Sequence, residues 1–132
     1  MPFSANHGLN LRLLELARRY DEPIEVQVPE IHAREASLPG ALDAWNAGVE
    51  EERRRALRVL WSPRERGSNA PTLDMVILRA ALERALDDAS ELNARFQRSP
   101  VLGRRLELLA RAEMASLFAR HLGDIATEAR PD

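Results

Sequence analysis

The chain is predicted to be all-α: a helical bundle of about four main helices with a long C-terminal helical hairpin and one short extended segment near residues 24–28. Three observations predict it. Apolar residues recur at helical spacing along most of the chain. From Met75 they follow an unbroken 3-4 alternation through Leu78, Leu82, Ala85, Ala89, Leu92 and Phe96, the pattern of a coiled-coil seam. From Ser99 to about Ala126 one helix carries two apolar faces, Leu106, Ala110, Met114, Leu117 and His121 on one side and Leu108, Ala112, Ala115, Ala119, Leu122 and Ala126 on the other. A helix apolar on both sides is either the centre of a bundle or half of a subunit interface.

The first helix is expected over residues 8–20, where Leu9, Leu13, Leu16 and Tyr20 share a face with Leu14 and Ala17 beside it. Ser4 or Asn6 would cap it and Asp21-Glu22-Pro23 would end it. In PIEVQVPEI, Ile24, Val26 and Val28 alternate with Glu25 and Gln27 between two prolines, the one strand-like pattern in the chain. A lone strand has no ladder partner, and its backbone groups need one if buried. It is therefore read first as an extended connector tucked across the helices, with pairing to a second chain as the alternative.

Residues 30–37 suit two helical turns before Leu38-Pro39-Gly40 breaks them. A second substantial helix is expected over 41–61, with Leu42, Trp45, Val49, Ala56 and Leu60 on its apolar side. Gly48 weakens its middle by about 1 kcal/mol relative to alanine. Residues 62–71, SPRERGSNAP, read as a flexible loop. Thr72 would cap the next helix, with Asp74 in its first turn, running to about Arg98. Ser99-Pro100 would start the last helix directly, serine as cap and proline at the first helical position. Gly123 would end that helix or fray it, leaving a loose tail over 127–132.

A length of 132 residues reads as a single helical domain, 1–132, and 45% hydrophobic with 30% charged residues is ordinary globular composition. The net charge of −2 provides no sequence-wide field towards nucleic acid or membrane. The absence of cysteine removes disulfides, thiolate catalysis and cysteine-based zinc sites. The N-terminus has no secretory pattern, and no apolar run approaches the roughly 20 residues that span a bilayer. A cytoplasmic location is expected. All 19 basic residues are arginine, which reads first as the usage of a GC-rich bacterial genome, with selection against lysine as the alternative.

Catalytic patterns are missing. No GxSxG, phosphate-binding loop, GxGxxG or HExxH occurs, and no cofactor is expected. His7, His32 and His121 have no neighbours at metal-ligand spacing, and His121, beside Met114 and Leu117, reads as a core-edge residue. Glu83, Asp87 and Glu91 form an i, i+4 ladder between Arg79 and Arg95. Such a row could ligate magnesium in a small all-α hydrolase if acids from a neighbouring helix converged on it. At 100° per residue it winds opposite the Met75–Phe96 seam, which makes a solvated ion-pair row the better reading. Glu50-Glu51-Glu52 lacks the paired acidic spacing such enzymes use.

Arg53, Arg54, Arg55, Arg58, Arg64 and Arg66 form the strongest local charge asymmetry, opposed between residues 53 and 66 only by Glu65. Phosphate contact is its functional reading. Neutralisation by Glu50–Glu52 and by the acidic stretch 21–35 is the structural one. Trp45 falls on an apolar stripe and reads as core. Trp61, at a helix end, is a candidate contact residue.

Together these features predict a non-enzymatic protein–protein interaction module: a small bacterial adaptor, regulator or chaperone acting as a homodimer. Its expected interface is Leu108, Ala112, Ala115, Ala119, Leu122 and Trp61. The alternatives are a nucleic-acid-associated regulator using the arginine patch, which is not favoured, and the helical metal-dependent hydrolase.

Overall fold

The computed structural model describes residues 3–61, 75–100 and 102–128. Its helices are α1 (Phe3–Tyr20), α2 (Ala33–Ala36, preceded by a 3-10 turn at Glu30–His32), α3 (Ala41–Trp61), α4 (Met75–Arg98) and α5 (Leu102–Glu128). The all-α bundle and its long C-terminal hairpin agree with the periodicity. The loop predicted over 62–71, and Thr72 and Asp74 with it, lie outside the described residues.

α5 is the central helix, and this decides what its two apolar faces are for. On one side it meets α3 so closely that a Cβ built on Gly48 would sit 2.5 Å from the Glu107 carbonyl oxygen and 2.9 Å from the Ala110 Cβ. On the other side Ala112 and Ala115 form a cluster with Ala89 and Leu92 of α4, and Leu108 leans against it. Small side chains on both helices bring the backbones close. Further along, Phe118 and His121 meet Tyr20 at the end of α1, edge to face at 5.5 and 5.8 Å between ring centroids.

The main core lies where these helices converge. Leu13, Tyr20, Trp45, Leu60, Leu78, Leu106, Met114 and Leu122 are its largest fully buried side chains. Burying one such leucine stabilises by about 1.5–3 kcal/mol relative to leaving it exposed. The α4 seam faces inward as its spacing requires, with Leu78, Ala85, Ala89, Leu92 and Phe96 buried.

Residues 23–29 have no regular secondary structure. Ile24, Val26 and Val28 pack half-buried against the core while Glu25 and Gln27 face solvent. This is the connector reading of the strand-like pattern. The Val26 carbonyl is satisfied by the Trp45 indole, whose Nε1 donates to it at 2.7 Å, so a side chain takes the place of a neighbouring strand.

Four boundaries differ from expectation. α1 begins at Phe3, so Ser4 and Asn6 lie within its first turns rather than capping it. α5 begins at Leu102 rather than at Ser99-Pro100. A residue before proline is pushed away from helical geometry, and the Ser99 amide instead turns back onto the Phe96 carbonyl at 3.2 Å. Gly123 does not end α5, which runs on through it to Glu128 with Gly123 half-buried near Leu82 of α4. Thr127 and Glu128 belong to the helix rather than to a loose tail. The Thr127 hydroxyl donates to the Gly123 carbonyl, and Arg12 of α1 pairs with Glu128 at 2.7 Å.

Candidate functional site

The helix face expected to meet a second copy is not available to one. Ala112, Ala115, Ala119 and Leu122 are buried within their own chain and Leu108 is half-buried. The correction has a simple cause: α4 covers one side of α5, and α3 and α1 cover the other. Trp61 is the last residue of α3, and its side chain lies outside the described residues.

The arginine patch is largely consumed by ion pairs. Arg53 holds Glu50 with two parallel hydrogen bonds, Nε to Oε1 at 2.9 Å and Nη2 to Oε2 at 2.7 Å, and its Nη1 donates to the Tyr20 carbonyl at 2.7 Å. Arg54 Nε donates to the same Glu50 carboxylate at 2.8 Å. Hydrogen bonding from Arg53, reinforced by Arg54, holds the Glu50 carboxyl down to about 2. Arg55 reaches Asp88 of α4 at 3.4 Å and Glu52 at 3.8 Å. Arg58 is exposed, and Arg64 and Arg66 lie outside the described residues. Arg53, Arg54 and Arg55 are therefore each engaged by an acid of the fold, Arg54 while still 66% exposed.

Glu83, Asp87 and Glu91 are all exposed, with Arg79 and Arg95 at the ends of the row. No acid from another helix joins them, among the described residues, to form a metal-holding group. Among the described residues no group of three His, Cys, Asp or Glu side chains is placed to hold a metal ion. No described helix is long and apolar enough to cross a membrane.

His121 sits at the core edge, where the Tyr20 hydroxyl and its Nδ1 are 3.0 Å apart. Burial raises the Tyr20 pKa. Burial, with Arg19 nearby, lowers that of His121. Both groups are thus held neutral, the arrangement in which the phenol donates to an unprotonated imidazole nitrogen. A histidine whose folded pKa is lowered contributes stability that is fully present above its unfolded value, about 6.5, and is lost as pH falls from there through the lower folded value. Between about pH 8 and pH 5 the melting temperature is expected to fall more steeply for the native chain than for His121→Gln. Parallel curves would show that His121 titrates freely.

A second polar cluster gathers where the 3-10 turn and α2 meet the corner between α4 and α5. Arg105 of α5 donates from Nη1 to Glu35 Oε1 and from Nε to the Phe96 carbonyl, both at 3.3 Å. Its guanidinium lies 4.4 Å from the centre of the Phe96 ring, and the His32 imidazole stands edge-on to that ring at 5.2 Å. His32 Nδ1 is 3.5 Å from Glu35 Oε1. The other oxygen, Glu35 Oε2, is buried without a hydrogen-bond partner. His32 and His121 are not brought together. Arg105 and His121 stand at opposite ends of sixteen helical residues, about 24 Å at 1.5 Å per residue.

Near this corner Ile31 and Leu38 expose apolar surface that periodicity did not single out, and Leu42, expected on the apolar side of α3, faces solvent instead. Ile31 is 84% exposed, Leu42 53% and Leu38 37%. Ile31 stays in water on a 3-10 turn that buries none of its residues, while Leu38 lies past the end of α2 and Leu42 in the first turn of α3. The available signal was negative: EIHAREAS is too short to offer a helical apolar stripe. No family model matches the chain, and neither a curated protein nor a solved structure shows significant similarity to it.

Proposed function

We propose that the chain is a non-enzymatic protein–protein interaction module, a cytoplasmic bacterial adaptor or regulator that acts as a homodimer. The dimer forms through the apolar surface of residues 31–42. The observation that carries this reading is the exposure of Ile31, Leu38 and Leu42 within one short stretch of chain, whereas the other exposed large apolar side chains, Leu11, Val76, Ile77 and Leu86, lie on α1 and α4. A second copy fits this surface by charge. Arg34 and the acids Glu30 and Asp43 are all exposed in the same stretch of chain as Ile31, Leu38 and Leu42, so a two-fold pairing can set each arginine against its partner's acids. Self-complementarity of that kind is what a two-fold interface requires.

Three apolar side chains are far less than the ~800 Å² per partner of a standard interface. The dimer is accordingly weak and concentration-dependent. Light scattering coupled to size-exclusion chromatography over a concentration series is expected to show a mass climbing from 14.9 kDa towards twice that value. Ile31→Glu and Leu42→Glu are expected to keep the chain monomeric with its helical content intact, since both side chains already face water. A native chain that stays monomeric throughout the series overturns the proposal.

A further inference from the structure

We propose that residues 30–36 form a hinged strap, docked onto the α4–α5 corner by Glu35 and Arg105 and able to leave it without unfolding the bundle. The inference rests on the homodimer reading only for its purpose: docking fixes the part of the contact surface that carries Ile31.

Four observations support an independently moving unit. No residue of the 3-10 turn or α2 is fully buried, and their apolar contacts are half-buried ones, Ala36 against the main core and the His32 ring against Phe96, so opening them uncovers limited apolar surface, the mark of a low-stability segment. The strap is bounded by Pro29 on one side and by Pro39-Gly40 on the other. Gly40 has φ of +78°, the sole positive value among the described residues, and its carbonyl accepts the Ala44 amide at the start of α3. A left-handed glycine at that joint lets the chain change direction without disturbing α3.

The docking contacts are also lopsided. Glu35 is held through one oxygen, by Arg105 at 3.3 Å with His32 at 3.5 Å, while Oε2 is buried and unpaired. Release returns that oxygen to water, which recovers its solvation. Arg105 loses little on release, because it keeps the Phe96 carbonyl and the face of the Phe96 ring. The corner therefore stays intact when the strap leaves, and two discrete arrangements exist rather than a continuum. Glu35 acts as a positioning residue for Ile31, and binding of a second copy selects the docked arrangement.

Amide hydrogen exchange on the intact chain tests this. The probes are the His32, Ser37 and Leu38 amides, bonded to Pro29, Ala33 and Glu35 carbonyls, compared with the amides of Ala110 and Met114 in α5. The strap amides are expected to exchange by a local opening insensitive to low denaturant, and the α5 amides only through global unfolding. Glu35→Gln keeps the shape but loses the charge-assisted bond, and should speed strap exchange about fivefold while leaving α5 unchanged. Strap amides that exchange together with α5, or that ignore Glu35→Gln, overturn the hinge. Raising the protein concentration should slow strap exchange in the native chain. A Glu35→Gln response without that concentration effect overturns the homodimer reading and leaves the hinge standing.

Discussion

Replacing Gly48 with alanine is expected to destabilise the protein by about 2 kcal/mol, although alanine is the better helix former by about 1 kcal/mol. Two terms oppose each other, and geometry decides between them. The added methyl would lie 2.5 Å from the Glu107 carbonyl oxygen, 3.2 Å from its carbon and 2.9 Å from the Ala110 Cβ. Two of those three atoms are backbone, so no rotamer change relieves the overlap. α5 has no room to retreat, because Ala112 and Ala115 on its other side already rest on Ala89 and Leu92. Forcing an extra carbon into such a contact typically costs about 1–3 kcal/mol even after relaxation, and the strain here exceeds the gain in propensity. Thermal denaturation should show a melting temperature lower by roughly 5–10 °C, and Gly48→Val should lower it further. An increase would mean that α3 and α5 separate freely, and the close crossing at the centre of the fold would be wrong.

Gly48 also shows where reading the sequence stops. Within residues 41–61 it looks like a flaw, since local propensity is all that one helix reveals of itself. Its purpose lies in α5, some sixty residues away, and no local pattern connects the two. The two faces of α5 were legible for the same reason that their partners were not: periodicity reports that a surface is apolar, never what covers it. Ala112 and Ala115 suit any close neighbour, and the chain supplies α4. The extended segment behaves likewise. Ile24, Val26 and Val28 announce burial by alternating, whereas the bond from Trp45 to the Val26 carbonyl depends on tertiary placement. The exposed apolar side chain of Ile31 was the least legible feature. Ile31 sits between glutamate and histidine in a segment too short for any period, on a single 3-10 turn that buries none of its residues.

Arg111→Met is expected to cost about 3 kcal/mol, and adding Glu52→Leu is expected to recover most of that loss. Glu52 is the one charged residue buried among the described residues, at 6% exposure. Arg111 of α5 donates to its Oε2 at 3.0 Å, while Arg55 is 3.8 Å away and is also drawn to Asp88 on α4. Removing Arg111 leaves a buried carboxylate facing one long contact, which is the expensive direction in which to break such a pair. Glu52→Leu alone should be milder, about 1 kcal/mol, because Arg111 at 22% side-chain exposure can turn its head towards water. The double variant removes both charges and fills the site with apolar volume, which commonly matches or exceeds the original pair in stability. Denaturant titrations of the four chains close the cycle, and the coupling should be clearly larger than the few tenths of a kcal/mol that separate additive sites. If Arg111→Met instead falls within about 0.5 kcal/mol of the native chain, as ordinary surface changes do, then Glu52 is solvated or satisfied by Arg55. The row Arg111–Glu52–Arg55–Asp88 would then have no part in fixing α3, α5 and α4 in register. That register matters to the functional proposal, since a bundle locked across its middle leaves the strap at one end as the element free to move.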